Sequence, residues 1–209
     1  MSKYQELADS IIKGDNITSK DISERLVKES ISATEILNQG LMPGMNTVGK
    51  KFKAGEMYIP EVLMSARAMH SAMDIIKPLL TDTAEQGKGS VAIGTVRGDL
   101  HDIGKNLVGM MLEGGGYNVV NLGVDVSPET FVETVKEKKI KLVGLSALLT
   151  TTMPSMKDII EALKKDAETS DTKVMVGGAP LTEEYADSIG ADGYAPDAAS
   201  AVELADELS

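Results

Sequence analysis

The chain has 209 residues and is 42% hydrophobic, enough for one large domain or two small ones around a sizeable core. Its 21 basic and 32 acidic residues leave a formal charge of −11, which disfavours non-specific binding to nucleic acid or to an anionic membrane surface. With no cysteine, disulfides, thiolate zinc sites, iron–sulfur clusters and cysteine nucleophiles are excluded together, and His70 and His101 are the only imidazoles.

The segment Met1-Ser2-Lys3-Tyr4-Gln5-Glu6-Leu7 lacks an apolar signal core, and no apolar run reaches the roughly 18–20 residues of a spanning helix, so a cytoplasmic, membrane-free protein is expected. A first helix is predicted over residues 4–13 and a second around Ile22, Leu26 and Val27. Next, Ile36, Leu37, Leu41, Met45, Val48 and Phe52 recur at helical spacing, with Pro43 among them marking a kink or a restart. Ile59, Val62, Leu63, Ala66, Met69, Met73 and Ile76 then line one face of a helix starting near Pro60. No strand pattern occurs here, and this part reads as a bundle of about four helices.

The polar, small-residue stretch from Thr81 to Gly89 reads as a linker, dividing the chain into a helical domain over 1–84 and a second domain over 85–209. Beyond it, short apolar runs alternate with amphipathic ones. Val91–Val96, Val119–Leu122, Leu142–Leu145 and Val174–Val176 read as buried strands, and a fifth lies around Asp192-Gly193-Tyr194. Helices are predicted at Ile103–Glu113, Pro128–Lys138, Pro154–Lys165 and Glu183–Ile189, with a last one from about Asp197. Repeated βα units make an α/β fold, a Rossmann-like (flavodoxin-like) five-stranded parallel sheet that binds ligands beyond the carboxyl ends of its strands. Gly114-Gly115-Gly116 follows a predicted helix instead of preceding one, so it reads as a stop and turn, not a phosphate loop.

The most informative loop is Gly98-Asp99-Leu100-His101-Asp102-Ile103-Gly104, directly after the first strand of that sheet. Two further elements stand at strand ends in register with it. Forty-one residues separate Gly104 from Ser146-Ala147-Leu148, and 28 more separate Leu148 from Gly177-Gly178. A neutral imidazole is a good metal ligand, and a carboxylate two residues earlier can hold its other ring nitrogen. Glycines at strand ends permit close backbone approach. His70 has no second ligand at metal spacing and reads as structural or solvent-facing. On spacing alone, Phe52, Ile59 and Val62 read as core packing.

This constellation resembles the cobalamin-binding domain shared by cobalamin-dependent methionine synthase, the corrinoid proteins of methanol, methylamine and aryl-ether methyltransferases, and the carbon-skeleton mutases. The stretch from Phe52 through Ala54, Gly55, Glu56, Pro60 and Val62 to Met69 is similar to the helical cap of the methyl-carrying members. The resemblance covers roughly residues 30 to 205. It implies a cobalamin or related corrinoid, with His101 as lower axial cobalt ligand in place of the cofactor's own base and Asp99 behind it. It places the Gly98–Gly104 loop and Leu148 at the cofactor, Ser146, Thr150, Gly177 and Gly178 along the displaced nucleotide tail, and Phe52, Ile59 and Val62 over the upper face. Thr152 stands where methionine synthase has a serine linked to the His–Asp pair.

The function so implied is that of a corrinoid carrier in anaerobic one-carbon metabolism, not catalytic alone. It alternates between methyl-Co(III) and Co(I), with a substrate-specific methyltransferase loading it, a second methyltransferase unloading it to a thiol or tetrahydropterin, and a reductive activating protein rescuing Co(II). Selectivity for methanol, a methylamine, a quaternary amine or an aryl methyl ether then lies with the partner. Two alternatives share the cofactor loop. A cobalamin-sensing regulator normally adds a DNA-binding domain and, in its light-sensing branch, a cap tryptophan; this chain has no tryptophan. The small subunit of an adenosylcobalamin mutase lacks the cap segment.

Overall fold

A computed structural model describes residues 2–80 and 88–209. They gather into two compact units, one formed by residues 2–80 and 114–116 and one formed by 88–113 and 117–209. The predicted linker falls mostly, and the boundary at 84/85 wholly, on residues that lie outside those described.

The first unit is helical. It comprises α1 (Lys3–Ile12), α2 (Asn16–Lys28), α3 (Ala33–Ile36), α4 (Met42–Lys53) and α5 (Ile59–Ile76). The starts of α1, α2 and α3 are set by Ser2, Asp15 and Ser32, whose side chains accept the backbone N–H groups of Tyr4, Thr18 and Glu35. A π turn over Leu37–Leu41 joins α3 to α4, so the expected kink at Pro43 is a change of helical register just ahead of it. Proline cannot donate the N–H that an α-turn back to Gln39 requires, and the wider turn accommodates that loss. Gly40 and Gly44 let α1 approach closely; a Cβ on Gly40 would meet Leu7 Cδ2 at 2.7 Å.

On α5 the buried side is Val62, Ser65, Ala66, Met69, Ala72 and Ile76. Of the predicted stripe, Val62, Ala66, Met69 and Ile76 are buried, Leu63 and Met73 are only half-buried and Ile59, the first residue of the helix, is 45% exposed, while Ala68 is buried as well.

The second unit is a parallel sheet in the order β2-β1-β3-β4-β5. Its strands are β1 (Ser90–Thr95), β2 (Asn118–Asn121), β3 (Leu142–Ser146), β4 (Lys173–Gly177) and β5 (Gly193–Ala195), and its helices are α6 (Ile103–Gly114), α7 (Pro128–Lys138), α8 (Pro154–Lys165), α9 (Glu183–Ile189) and α10 (Ala198–Leu208). One face packs Phe131, Val135, Ile159, Ile160, Leu163 and Ala186 from α7, α8 and α9 against the sheet, and the other packs Leu112 and Ala205 from α6 and α10. The expectation of a buried second strand needs correction: β2 is an edge strand, with Asn118 and Asn121 exposed and Val119 and Val120 only half-buried.

From β1 the chain crosses to β2 on one side and later returns to β3 on the other. The loops after β1 and β3 therefore diverge, and such a reversal leaves a crevice at the carboxyl edge of an open sheet. Both of the most distinctive sequence motifs fall there.

Candidate functional site

The loop after β1 is built around Asp99, which has no solvent exposure. Gly98 ahead of it takes a left-handed φ of +83°, a conformation glycine adopts without cost. One carboxylate oxygen of Asp99 accepts the backbone N–H of His101 at 3.0 Å and its ring Nδ1 at 2.7 Å. The other accepts the N–H of Leu148 at 2.8 Å, the N–H of Leu149 at 3.3 Å and the Thr152 hydroxyl at 2.7 Å. Burial acts to raise the Asp99 pKa, but the bonds from His101, Leu148 and Thr152 outweigh it and hold the carboxyl far below its ordinary range. Asp99 is thus held as an anion at neutral pH. An anion facing Nδ1 puts the ring proton there and leaves the lone pair on Nε2, which has no hydrogen-bond partner among the described residues. The His101 side chain is half exposed.

Further groups hold this loop in ways the sequence reading did not anticipate. The buried Thr95 hydroxyl, at the end of β1, donates to the His101 carbonyl at 2.9 Å. Asp125, beyond β2, has a left-handed φ of +54°. Its carboxylate accepts the Gly98 N–H at 2.7 Å, and its own N–H donates to the Asp99 carbonyl at 3.0 Å. Lys105, 4% exposed, donates to the side-chain oxygens of Asn106 and Asn121 at 2.7 Å each. Burial lowers its pKa, with the negative charge of Asp102 opposing. A sequence signal existed for Asp125, an acidic residue in Gly123-Val124-Asp125 at a strand's carboxyl end; none distinguished Thr95 or Lys105.

The remaining expected residues divide into two groups. Leu100, Asp102, Ile103 and Gly104 continue from His101 into the first turn of α6, and Asp102 accepts from the side chain of Asn106 at 2.9 Å. Ser146 ends β3 opposite Gly177 at the end of β4. Gly178 has φ +143°, and a Cβ there would fall 1.9 Å from the Ala147 carbonyl oxygen, so only glycine fits. Thr150 is exposed, two residues short of the threonine that reaches Asp99. Phe52, Ile59 and Val62 belong to the helical unit, where Phe52 is half-buried, Ile59 exposed and Val62 fully enclosed. They do not form one exposed patch within it. His70 is exposed and its Nδ1 lies 2.9 Å from the Ala66 carbonyl one turn back.

Among the described residues, no group of three or more His, Asp or Glu side chains could hold a metal ion. His101 offers a single nitrogen, which suits a metal that arrives in its own chelate. Around it stand Leu100 (71% exposed), Ile103 (75%), Leu148 and Leu149 (both 41%), apolar surface that a large flat ligand would cover. At Gly104 a Cβ would meet nothing within 4 Å, leaving open space over the start of α6. These features fit a corrinoid.

The comparisons with known proteins agree with this geometry. A family model described as the B12 binding domain matches residues 89–203, and a second of the same description matches residues 4–77. A corrinoid protein of Desulfitobacterium hafniense is 42% identical, aligned over 100% of this chain and 98% of its own. The dimethylamine corrinoid protein of Methanosarcina barkeri is 43% identical over 98% of this chain and 96% of its own. Among solved structures, a cobalamin-binding protein from D. hafniense matches with a TM-score of 0.81 and 31% identity over 99% of this chain and 98% of its own. The methanol:cobalamin methyltransferase complex MtaBC from M. barkeri contains a chain with a TM-score of 0.88 and 29% identity, matched over 99% of this chain and 79% of that one. No helix among the described residues is long and apolar enough to cross a membrane. With both halves of the sequence matched at this identity, the chain belongs to the B12-binding corrinoid proteins and its cofactor is cobalamin or a related corrinoid.

Proposed function

We propose that the protein is the methyl-carrying corrinoid subunit of a methyltransferase system, with His101 as the lower ligand to cobalt. The observation that carries this reading is the His101–Asp99 pair, set in the crevice where the sheet reverses, with Nδ1 taken and Nε2 free. When bound, a corrinoid supplies a cobalt centre that can accept and surrender a methyl group. Nε2 is the atom available to cobalt. Asp99 fixes the ring through Nδ1, and its negative charge raises the donor strength of the imidazole. Asp99, held as an anion beside Nδ1, would favour positive charge on the imidazole whether or not Nε2 were engaged by the metal.

Ser146, Thr150, Gly177 and Gly178, around the ends of β3 and β4, are assigned to the displaced nucleotide tail. Thr152 donates to Asp99 at 2.7 Å and is assigned to holding that carboxylate, not to ligating the metal. Phe52, Ile59 and Val62 are assigned to the upper-face cover; Val62 becomes available for that only if the packing around it opens. The linker near 81–89 and a domain boundary at 84/85 belong to the same reading. A substrate-specific methyltransferase loads the carrier, a second corrinoid-dependent methyltransferase unloads it and a reductive activating protein restores it, all in the cytoplasm. The crystallised complex of a relative with a methanol:cobalamin methyltransferase supports the first of these partnerships.

The test is reconstitution of the purified protein with hydroxocobalamin, followed by denaturation and quantification of the released corrinoid. One corrinoid per chain with its own base displaced is the expected result. His101→Ala is expected to retain the corrinoid but to lose the histidine nitrogen splitting in the cobalt(II) electron paramagnetic resonance spectrum. An unchanged splitting would remove His101 from the cobalt.

A further inference from the structure

The loop between β2 and α7 makes polar ties to the histidine loop on two sides. On one, Asp125 brackets Asp99: its carboxylate accepts the N–H of Gly98, immediately before, and its N–H donates to the carbonyl of Asp99 itself. On the other, Asn121 accepts both the Gly123 N–H at 3.0 Å and the ammonium of Lys105, which is buried in the first turns of α6. After β2 the chain stays tied to β1 through Leu122, whose N–H donates to the Ile93 carbonyl, and Gly123, whose carbonyl accepts the Thr95 N–H; it leaves the sheet at Val124 and Asp125 and returns at Val126, which bridges to Val96. To close that excursion, Asp125 adopts a left-handed φ, a conformation uncommon for a non-glycine residue and found where the surroundings impose it.

We propose that Asp125 is a positioning residue for the cobalt ligand: it fixes the peptide frame carrying Asp99 and thereby sets how firmly His101 holds cobalt. This rests on His101 being that ligand. The side chain of Asp99 is already secured from β3's side by Leu148, Leu149 and Thr152, but a fixed carboxylate aims the imidazole only if its own backbone is fixed too. Asp125 supplies this from the opposite edge. It forms no hydrogen bond to His101, so its influence on cobalt passes through Asp99.

Three variants of the full chain test the assignment. Asp125→Gly accepts the left-handed φ freely but loses the acceptor, so it folds without the tie to Gly98. Asp125→Asn keeps an acceptor oxygen and tolerates the same φ. Asp125→Ala loses the acceptor and keeps the conformational cost. In the unloaded protein, amide hydrogen exchange at Gly98 should accelerate in Asp125→Gly and Asp125→Ala and remain near wild type in Asp125→Asn. After loading with hydroxocobalamin, Asp125→Gly should keep one corrinoid per chain, while the ratio of histidine-ligated to unligated cobalt(II) falls by about tenfold, as expected for one lost charge-assisted hydrogen bond. Asp125→Asn should restore most of that ratio. A role confined to stability would lower the urea midpoint of Asp125→Gly and leave the ratio unchanged, which overturns the proposal. If the wild type shows no histidine nitrogen on cobalt, the ligand reading fails and this one with it; if the wild type shows it and Asp125→Gly matches, only the Asp125 assignment falls.

Discussion

Five donors converge on the carboxylate of Asp99, so removing one leaves part of a buried charge unsatisfied. Thr152→Val keeps the shape and deletes one donor, and is expected to cost about 1.5–3 kcal/mol by urea denaturation, whereas Thr152→Ser should be near neutral. The same cage fixes the pH response. Because the folded pKa of Asp99 is below its unfolded value of about 3.9, the stabilisation is complete above the unfolded value and is lost as pH falls through it toward the folded one. The stability difference between wild type and Asp99→Asn should therefore be flat above about pH 5 and shrink below about pH 4 in a pH series of urea midpoints. Gly104 behaves differently. It has helical surroundings and open space above it, so Gly104→Ala should leave the unloaded protein as stable or up to about 1 kcal/mol more so. A loss of corrinoid retention in that variant would then report contact with the ligand and not damage to the fold.

Most elements were legible where a local stop or start is written into the chain. α7, α8 and α9 begin and end at the residues predicted, because Pro128 and Pro154 open the first two, and Thr182 and the left-handed Gly190 bound the third. The His–Asp pair was legible because its two members are only two residues apart, and the resemblance brought in Thr152; the rest of the support was not, because Leu148, Leu149 and Asp125 contribute through backbone groups or from a different loop. The π turn at Leu37–Leu41 was legible only as a kink or restart at Pro43, because a proline marks the missing N–H and not the register that replaces the lost turn. The exposure of β2 depends on its place at the sheet's edge, which no run of four residues encodes. Close approach between elements gives a direct test. A Cβ at Gly178 would strike the Ala147 carbonyl, so Gly178→Ala should displace the β3 end, lower the unfolding free energy measured in urea by about 3 kcal/mol or more, or abolish folding, and never yield a stable, corrinoid-loading protein.

The whole chain carries −11, and its two matched halves join a helical bundle and a parallel sheet in one polypeptide. At that charge no band shift is expected with duplex DNA at low salt; a clear shift would favour a regulatory protein over a carrier. A carrier is consumed and regenerated in step with the enzymes it serves, so its useful concentration is set by theirs and not by a turnover number of its own. Crowding on that scale exposes any sheet to the danger of templating a neighbour. Here one border strand has four residues ending in exposed asparagines and the other has three, too short to recruit a further strand. The brevity of the two outer strands thus leaves little unpaired backbone on which a second copy of this sheet could add a strand.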